Sequence, residues 1–362
     1  MGEPLTRAKL EARGVVVRRG ERPIVDVESF ALREGEVVAL IGPNGAGKTT
    51  FILQLALLER PGAGEILFDG EPVRGRELAL RRRMGVVFQE PLLLDRTVRD
   101  NVEVGLRLRG VTHDERRRRI ARWLDRFGIA ALAERSARTI SGGEAQRTSL
   151  ARAFALEPEV LLLDEPFSAL DQPTREGLTA DLAAALTETG MTALIVTHDH
   201  DEAARFGDRV AVMIGGRIRQ VGTPAEVFGA PADEETAAFV GIETIVAASV
   251  VGRSDGLVTL RAGDHLIEAI AEGDFGEALV CVRPEDVSLS PGGEGVAGSA
   301  RNKLAGRVQR IVPRGADARV ELDCGFPVIA RVTRRSVEDL GIAPGSDVVA
   351  SFKATAVHLI PK

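Results

Sequence analysis

Gly42-Pro43-Asn44-Gly45-Ala46-Gly47-Lys48-Thr49 is the stretch of sequence that decides the fold of this chain. It fits the pattern GxxxxGK[ST] without a mismatch, after the apolar run Val37 to Ile41 and before a helical pattern over Thr49 to Leu58. Glycines let backbone N–H groups turn towards phosphate oxygens, and the N-terminus of a helix favours negative charge. The segment therefore predicts a phosphate-binding loop between a strand and a helix.

Single residues of this loop have distinct predicted contacts with a nucleotide. Lys48 is expected to reach the β- and γ-phosphates, and the Thr49 hydroxyl is expected to ligate Mg²⁺. Thr50 follows at the start of the helix, where it is expected to contact the α-phosphate. The rest of the predicted loop contacts come from Gly42, Pro43, Asn44, Gly45, Ala46 and Gly47.

Short apolar runs alternate with helical patterns as far as about Gly229. Val160 to Leu163 and Leu194 to Val196 are bounded by polar residues, which is typical of strands buried on both faces in a parallel sheet. Between Leu92 and Ala137 the pattern is almost entirely helical. These patterns predict an α/β P-loop NTPase fold with an inserted helical subdomain.

Polar side chains follow three of the predicted strands. Asp164 is expected to hold Mg²⁺ through water, and Glu165 is expected to polarise the water that attacks the γ-phosphate. His198 ends the next strand, at the edge where open α/β sheets bind ligands, and is interpreted as a γ-phosphate sensor. Gln89 follows Val86-Val87-Phe88 and is predicted to contact the metal and the attacking water.

Composition limits the classes of protein that fit. The 362 residues suffice for more than one domain, and no apolar run reaches the ~20 residues that span a bilayer. The start lacks the apolar stretch of a signal peptide, so a cytosolic protein is expected. Cys281 and Cys324 are interpreted as buried thiols. The net charge of −6 and the local arginine clusters favour solvated helix faces over nucleic-acid binding.

The C-terminal third of the chain has a different sequence pattern. After a connector at Pro224 to Gly241, short strands alternate with Gly and Asp turns, and a Gly-rich hinge lies at Pro291 to Gly298. This predicts a nucleotide-binding domain over residues 1–240 and all-β, OB-like modules over residues 241–292 and 297–362.

Together the motifs over about residues 9 to 240 resemble the nucleotide-binding subunits of ABC transporters. Ile140-Ser141-Gly142-Gly143-Glu144-Ala145-Gln146-Arg147 matches that family's signature with Ile in place of the usual Leu, and Ser168-Ala169-Leu170-Asp171 matches its D-loop. The resemblance implies a homodimer in which Ser141, Gly142, Gly143 and Glu144 of one subunit contact ATP held by the other. Arg19 stands where the family has an aromatic residue against adenine, and a planar guanidinium can also stack on a base.

The resemblance also implies partners. Because no membrane-spanning segment is found, transport needs a separate integral-membrane permease, and the segment Gln89 to Leu108 resembles the surface that contacts it. An ATPase subunit with a C-terminal β-domain is similar to those of bacterial and archaeal importers, which use a substrate-binding protein. The expected location is peripheral, at the cytoplasmic face of the inner membrane.

The cargo is inferred from the C-terminal modules. Cys281 to Asp286 resembles the TOBE-like domain of importers of sugars, polyamines, iron and oxyanions alike, and the stretch from Leu322 to Gly345 is similar to tungstate/molybdate importer ATPases. The second module resembles a Mop-like molybdate/tungstate-binding domain, which implies a regulatory oxyanion site. Hydroxyl groups and positive charges suited to a tetrahedral dianion come from Ser299, Arg301, Lys353 and Thr355.

Other functions stay open at this stage. One is an importer ATPase for sulfate, ferric iron, polyamine or sugar, in which the C-terminal modules only support the dimer. A different class is a soluble ABC ATPase outside transport, and a third is an oxyanion sensor. The presence of Glu165, His198 and Gln89 favours hydrolysis over a pure sensor.

Overall fold

The computed structural model describes residues 7–254, 256–292 and 299–362. The chain divides into two compact units, Met1–Val227 and Phe228–Lys362. Most of the predicted hinge at Pro291 to Gly298 lies outside the described residues. Within them, no helix combines the length and the apolar character needed to cross a membrane.

The first unit contains the predicted alternation of strands and helices. Its strands are β1 (Ala8–Arg19), β2 (Arg22–Arg33), β3 (Val37–Ile41), β4 (Ala63–Phe68), β5 (Glu71–Pro72), β6 (Met84–Val87), β7 (Val160–Asp164), β8 (Thr192–Val196), β9 (Arg209–Ile214) and β10 (Arg217–Gly222). Its helices are α1 (Lys48–Leu55), α2 (Glu77–Arg81), α3 (Val98–Leu108), α4 (His113–Arg126), α5 (Gly142–Ala155), α6 (Gln172–Thr189) and α7 (His200–Phe206). The division between the units falls within α8 (Pro224–Gly229).

The central sheet of this unit has the strand order β10-β9-β3-β8-β7-β6 among the described residues. All neighbours from β9 to β6 are parallel, and β10 is antiparallel to β9. Successive residues of β7 enter two different cores: Leu161 and Leu163 pack with the helices α3 to α6, whereas Val160 and Leu162 pack with α1 and the strands β1 and β2. The apolar runs are therefore continuous because both faces of the sheet are covered.

A second, antiparallel sheet of order β2-β1-β4-β5 covers the α1 face of the central sheet. The helical subdomain is built from α3 and α4, which pack against α5 around the fully buried rings of Trp123, Phe127 and Phe154. The Trp123 and Phe154 ring centroids are 4.8 Å apart. Helix α1 ends at Leu55, earlier than the predicted Leu58, and Leu57 has a left-handed backbone with a φ of 57°.

The second unit is all-β apart from short helices. Its elements are α9 (Glu234–Phe239), α10 (Arg334–Asp339), β11 (Thr244–Ser254), β12 (Leu257–Ala262), β13 (His265–Ile270), β14 (Glu277–Val282), β15 (Ser288–Pro291), β16 (Asn302–Arg314), β17 (Asp317–Asp323), β18 (Pro327–Thr333), β19 (Asp347–Phe352) and β20 (Val357–Pro361). The described strands form sheets of order β13-β12-β11-β14-β20 and β15-β19-β16-β17-β18.

These sheets exchange strands, unlike modules that simply follow each other along the chain. The last strand, β20, pairs with β14, and β15 pairs with β19. Residues of both sheets share one core, which includes Val280, Leu322 and Leu359. The domain boundaries near 240, 292 and 297 remain predictions from sequence texture. Cys281 and Cys324 are both buried as thiols, and burial raises their pKa values to about 12 and about 11, which makes both unreactive near neutral pH.

Candidate active site

The carboxyl ends of four neighbouring parallel strands meet at one edge of the central sheet. The order β3-β8-β7-β6 places Gly42, His198, Asp164 and Gln89 directly at or just beyond those ends. The register pairs Leu40 with Val196, and Val196 with Asp164. The polar residues predicted to follow β6, β7 and β8 therefore share the edge at which open α/β sheets bind ligands.

The loop between β3 and α1 has the backbone geometry that its glycines predict. Gly45 and Gly47 adopt φ values of 80° and 98°, and Gly47 is the residue that caps α1. Lys48 extends back over the loop, where its Nζ donates to the carbonyl oxygens of Gly42 at 2.7 Å and of Pro43 at 3.1 Å. The first-turn N–H groups of a helix have no intrahelical acceptor, so this loop and α1 present donors suited to an anion.

The electrostatics around Lys48 are those of a buried charge cluster. The lysine is only 6 % exposed. Burial lowers its pKa, while the charges of Glu165 and Asp164 act in the opposite direction. A phosphate group in the loop adds negative charge beside the ammonium group and so favours its charged form.

Asp164 is the most enclosed carboxylate of this edge, at 4 % exposure. Burial raises its pKa, and a hydrogen bond from the Thr49 side chain opposes that shift. Its Oδ1 atom is buried with no hydrogen-bond partner in the described structure. A buried carboxylate oxygen without a partner beside a hydroxyl oxygen matches the hard oxygen donors that Mg²⁺ prefers.

Glu165, the residue after Asp164, has a different environment. Its backbone is left-handed, with a φ of 45°, and its N–H donates to the carbonyl oxygen of Val196 at 3.0 Å. Its Oε2 lies 3.3 Å from Nδ1 of His198. This contact brings the predicted base and the predicted phosphate sensor together, so a carboxylate can take a proton while the imidazole holds its orientation.

A cavity of about 870 Å³ lies against the loop. It is lined by Arg19, Arg22, Pro23, Ile24, Asn44, Gly45, Ala46, Gly47, Lys48, Thr49, Thr50, Glu165, Gly215 and Gly216. Arg19 thus shares a cavity with the phosphate loop, as its predicted contact with a base requires. The sequence interpretation missed Gly215 and Gly216, although a glycine pair between two strands is a turn signal. Gln89 is exposed and does not line this cavity.

Ser141 begins α5 and is held by a reciprocal cap. Its hydroxyl accepts from the Glu144 N–H at 3.3 Å, and the Glu144 carboxylate accepts from the Ser141 N–H at 2.7 Å and from its hydroxyl at 2.9 Å. The Ser141 N–H and hydroxyl lower the pKa of Glu144. Gly142 has open space around its Cα, whereas a Cβ on Gly143 would lie 2.6 Å from the Thr174 methyl carbon. None of these residues lines the cavity at the phosphate loop of the same chain.

The four residues predicted to hold an oxyanion lie on the second unit. Pairing of Asn302 with Phe352 brings Arg301 and Lys353 to adjacent strand ends. Ser299, Arg301, Lys353 and Thr355 are all exposed. Arg301 forms an ion pair with Glu268. Beside it, the buried Asn302 accepts from the Glu268 N–H at 2.7 Å and donates to its carbonyl oxygen at 2.9 Å, a contact that no sequence pattern indicated.

Comparison with known proteins decides the family. The model of the ABC transporter family matches residues 25–168, and the model of the TOBE domain matches residues 298–359. The molybdate/tungstate import ATP-binding protein WtpC of Pyrococcus horikoshii is 40% identical over 334 residues, which is 92% of this chain and 94% of the relative. The chain belongs to the family of ABC transporter ATP-binding proteins. It is an ATP-binding, ATP-hydrolysing subunit of the kind found in ABC importers.

Other relatives of this ABC ATPase are named for the import of different substrates. The spermidine/putrescine import protein PotA of Mesorhizobium japonicum is 37% identical over 91% of this chain and 92% of its own length. The Fe(3+) ions import protein FbpC of Streptomyces coelicolor is 36% identical over 94% of this chain and 95% of its own. The family is therefore shown by several relatives whose named cargoes differ.

Solved structures agree with the fold of the ATPase core. CbiO1 of Clostridium perfringens, part of an ABC transporter complex, superposes with a TM-score of 0.57 at 31% identity, over 65% of this chain and 94% of that one. A dimeric ATP-binding cassette bound to ADP and Pi superposes with a TM-score of 0.55 at 29% identity, over 59% and 98%. The predicted ABC ATPase core and the all-β C-terminal region are thus both confirmed.

Proposed function

We propose that this chain couples ATP hydrolysis to the import of an oxyanion, tungstate or molybdate. The observation that carries the ATPase part is the convergence of the phosphate loop, Asp164, Glu165 and His198 at one sheet edge. The cargo is supported by the 40% identity with a molybdate/tungstate import protein along 92% of the chain and by the TOBE match at residues 298–359.

Thr49 and Asp164 are the proposed ligands of a Mg²⁺ ion, directly or through water. Their fit rests on the unpartnered, buried Oδ1 of Asp164 and on the adjacent Thr49 hydroxyl. Bound there, the ion supplies positive charge that offsets the charge of the phosphates. Gln89, at the end of the neighbouring strand β6, is the third proposed contact.

Hydrolysis in this proposal follows from the positions of three side chains. Lys48 leaves the carbonyl oxygens of Gly42 and Pro43 and donates to the β- and γ-phosphates instead. Glu165 accepts the proton of the attacking water, since an ionised carboxylate next to the loop is a suitable base. His198 keeps that carboxylate in place from 3.3 Å and donates to the γ-phosphate.

The proposed active form is a homodimer. Ser141, Gly142, Gly143 and Glu144 do not line their own chain's cavity, and Ser141 and Gly142 are exposed at the N-terminus of α5. That terminus favours an anion supplied by a second copy. In the proposal this dimer binds a membrane permease at the cytoplasmic face of the inner membrane, and a substrate-binding protein delivers the oxyanion. Arg19 stacks on adenine within the cavity that it shares with the loop.

Glu165→Gln tests the ATPase mechanism. The variant is expected to bind ATP and to remain dimeric in its presence, while kcat falls about 10²- to 10⁴-fold, because the amide is no longer a base. Steady-state phosphate release measures kcat, and the molecular size in the presence of ATP shows whether the variant is dimeric. Glu134→Gln, which changes an exposed carboxylate of the helical subdomain, is the control and should keep full turnover. Near-normal hydrolysis by Glu165→Gln contradicts the proposed base.

Titration of the full-length protein with tungstate, molybdate and sulfate tests the cargo. We expect the first two to bind at least about tenfold more tightly than sulfate, measured by calorimetry. Because Arg301 is paired with Glu268, most of the free positive charge comes from Lys353, so Lys353→Ala should weaken binding. Lys362→Ala is the control. Equal affinity for all three anions, or no binding, contradicts the oxyanion proposal and favours an iron or polyamine cargo.

A further inference from the structure

The loop that carries Gln89 is held by a side chain from α5. Arg152 donates through Nη2 to the carbonyl oxygen of Pro91 at 2.8 Å and through Nη1 to that of Leu92 at 3.0 Å. Pro91 follows Gln89 by two residues. The contact joins positions about 60 residues apart in sequence and links the β6–α3 loop to the helix that begins at Ser141.

Arg152 is well suited to hold two consecutive carbonyl groups. Its planar guanidinium presents several N–H donors in a fixed fork and stays protonated in proteins. Nη2 also lies 3.3 Å from the Ser149 hydroxyl, one turn earlier on α5. Burial lowers the pKa of Arg152, whose side chain is half-buried between α5 and the loop.

The backbone at this point needs such support. Leu92 has a φ of 44°, in the left-handed region that residues with a Cβ rarely adopt. Its side chain is exposed and contributes little packing to hold that conformation. The two bonds from Arg152 act directly on the carbonyl groups on either side of the Leu92 N–H, and so stabilise the turn.

A second residue holds the far part of the same loop. Asn101, fully buried at the start of α3, accepts from the Leu94 N–H at 2.7 Å and donates to the carbonyl oxygens of Leu94 and Thr97. Its contacts begin beyond Leu92. Of these two residues, Arg152 is therefore the one whose contacts in the loop lie nearer to Gln89.

We propose that Arg152 is a positioning residue for ATP hydrolysis, which fixes the loop after Gln89 to α5. Gln89 is then presented at the carboxyl edge of the sheet and moves together with the helix that carries Ser141, about 16 Å away along α5. This inference rests on the proposed function, because it acts through the proposed role of Gln89. It assigns a catalytic consequence to a side chain outside every motif that the sequence singled out.

A double-mutant cycle on the purified full-length protein tests this proposal. We expect Arg152→Gln to lower kcat about tenfold with the KM for ATP changed less than about twofold. In the Gln89→Ala background, Arg152→Gln should lower kcat by no more than about twofold further, because both changes remove the same contribution. Arg152→Lys keeps one of the two carbonyl bonds and should lie between wild type and Arg152→Gln.

Arg109→Gln is the matched control. Arg109 also donates to two carbonyl oxygens in the same unit, those of Leu156 at 3.2 Å and Met84 at 3.3 Å, and burial likewise lowers its pKa. Its effect on thermal unfolding should resemble that of Arg152→Gln. Its effect on kcat should be small, and in the double variant the fold-change should multiply with that of Gln89→Ala. Should Arg152→Gln fail to fold, the same cycle is run with Arg152→Lys.

The outcomes separate this inference from the proposed function. If Arg152→Gln and Gln89→Ala reduce kcat multiplicatively, Arg152 only supports the fold and the inference is overturned. The same holds if Gln89→Ala leaves kcat unchanged. Both results are compatible with a Glu165→Gln variant that has lost hydrolysis, in which case the ATPase mechanism stands without the Arg152 link.

Discussion

At the scale of single residues, the site is built on backbone conformations that most amino acids avoid. Glu165 has a φ of 45°, a region that costs a residue with a Cβ about 1–2 kcal/mol. Its N–H bonds the Val196 carbonyl oxygen, and its own carbonyl oxygen accepts from the N–H and hydroxyl of Ser168. Strain supported from both sides is typical of a functional position. It aims the carboxylate at the loop and ties it to the segment Ser168 to Asp171.

The phosphate loop allows a matched test of this dependence on backbone geometry. A Cβ on Gly47 would lie 2.6 Å from the Ile24 carbonyl oxygen, in addition to the strain at its φ of 98°. A Cβ on Gly45, with a φ of 80°, meets nothing within 4 Å. Gly45→Ala should therefore cost about 1 kcal/mol of unfolding free energy in the nucleotide-free protein, and Gly47→Ala clearly more. Denaturant unfolding measures both, and equal losses contradict the predicted clash.

At the scale of elements, the sequence predicted the strands and helices that local residue patterns determine. The strands β3 and β7, which lead to Gly42 and Asp164, were predicted because apolar runs bounded by polar residues are local signals. The contact of Arg152 with Pro91 and Leu92 was not predicted, since an arginine in a helix has no periodicity that reveals its acceptor. The exposed position of Gln89 depends on the path of that same loop.

At the scale of the whole molecule, the sequence did not indicate which β-strands pair when they lie far apart along the chain. The sequence of β20 contains no local signal that it pairs with β14 instead of extending the sheet nearest in sequence. The sequence pattern separated the C-terminal third into consecutive modules, with the Gly-rich segment Pro291 to Gly298 as the predicted break between them. In the second unit, however, the sheet containing β11 to β14 depends on β20 for its last described strand, although β15 to β19 lie between β14 and β20 along the chain.

A truncation after Ala356 tests that dependence. It removes β20, whose Val357, Leu359 and Ile360 are buried in or beside the second unit's core. Burial of three such side chains contributes on the order of 5 kcal/mol, which is comparable to the total stability of a domain. We therefore expect the second unit to lose cooperative unfolding, followed by calorimetry, while ATP still protects the first unit against heat.

Lys362→Ala is the control for this truncation, because that side chain is exposed after β20 and the substitution keeps the backbone N–H that donates to the Glu277 carbonyl oxygen. It should leave both unfolding transitions unchanged. A protein ending at Ala356 whose second unit still unfolds cooperatively at the wild-type temperature would mean that β20 only covers the edge of the sheet. Loss of ATP protection in the same variant would instead mean that the first unit depends on the second for its own stability.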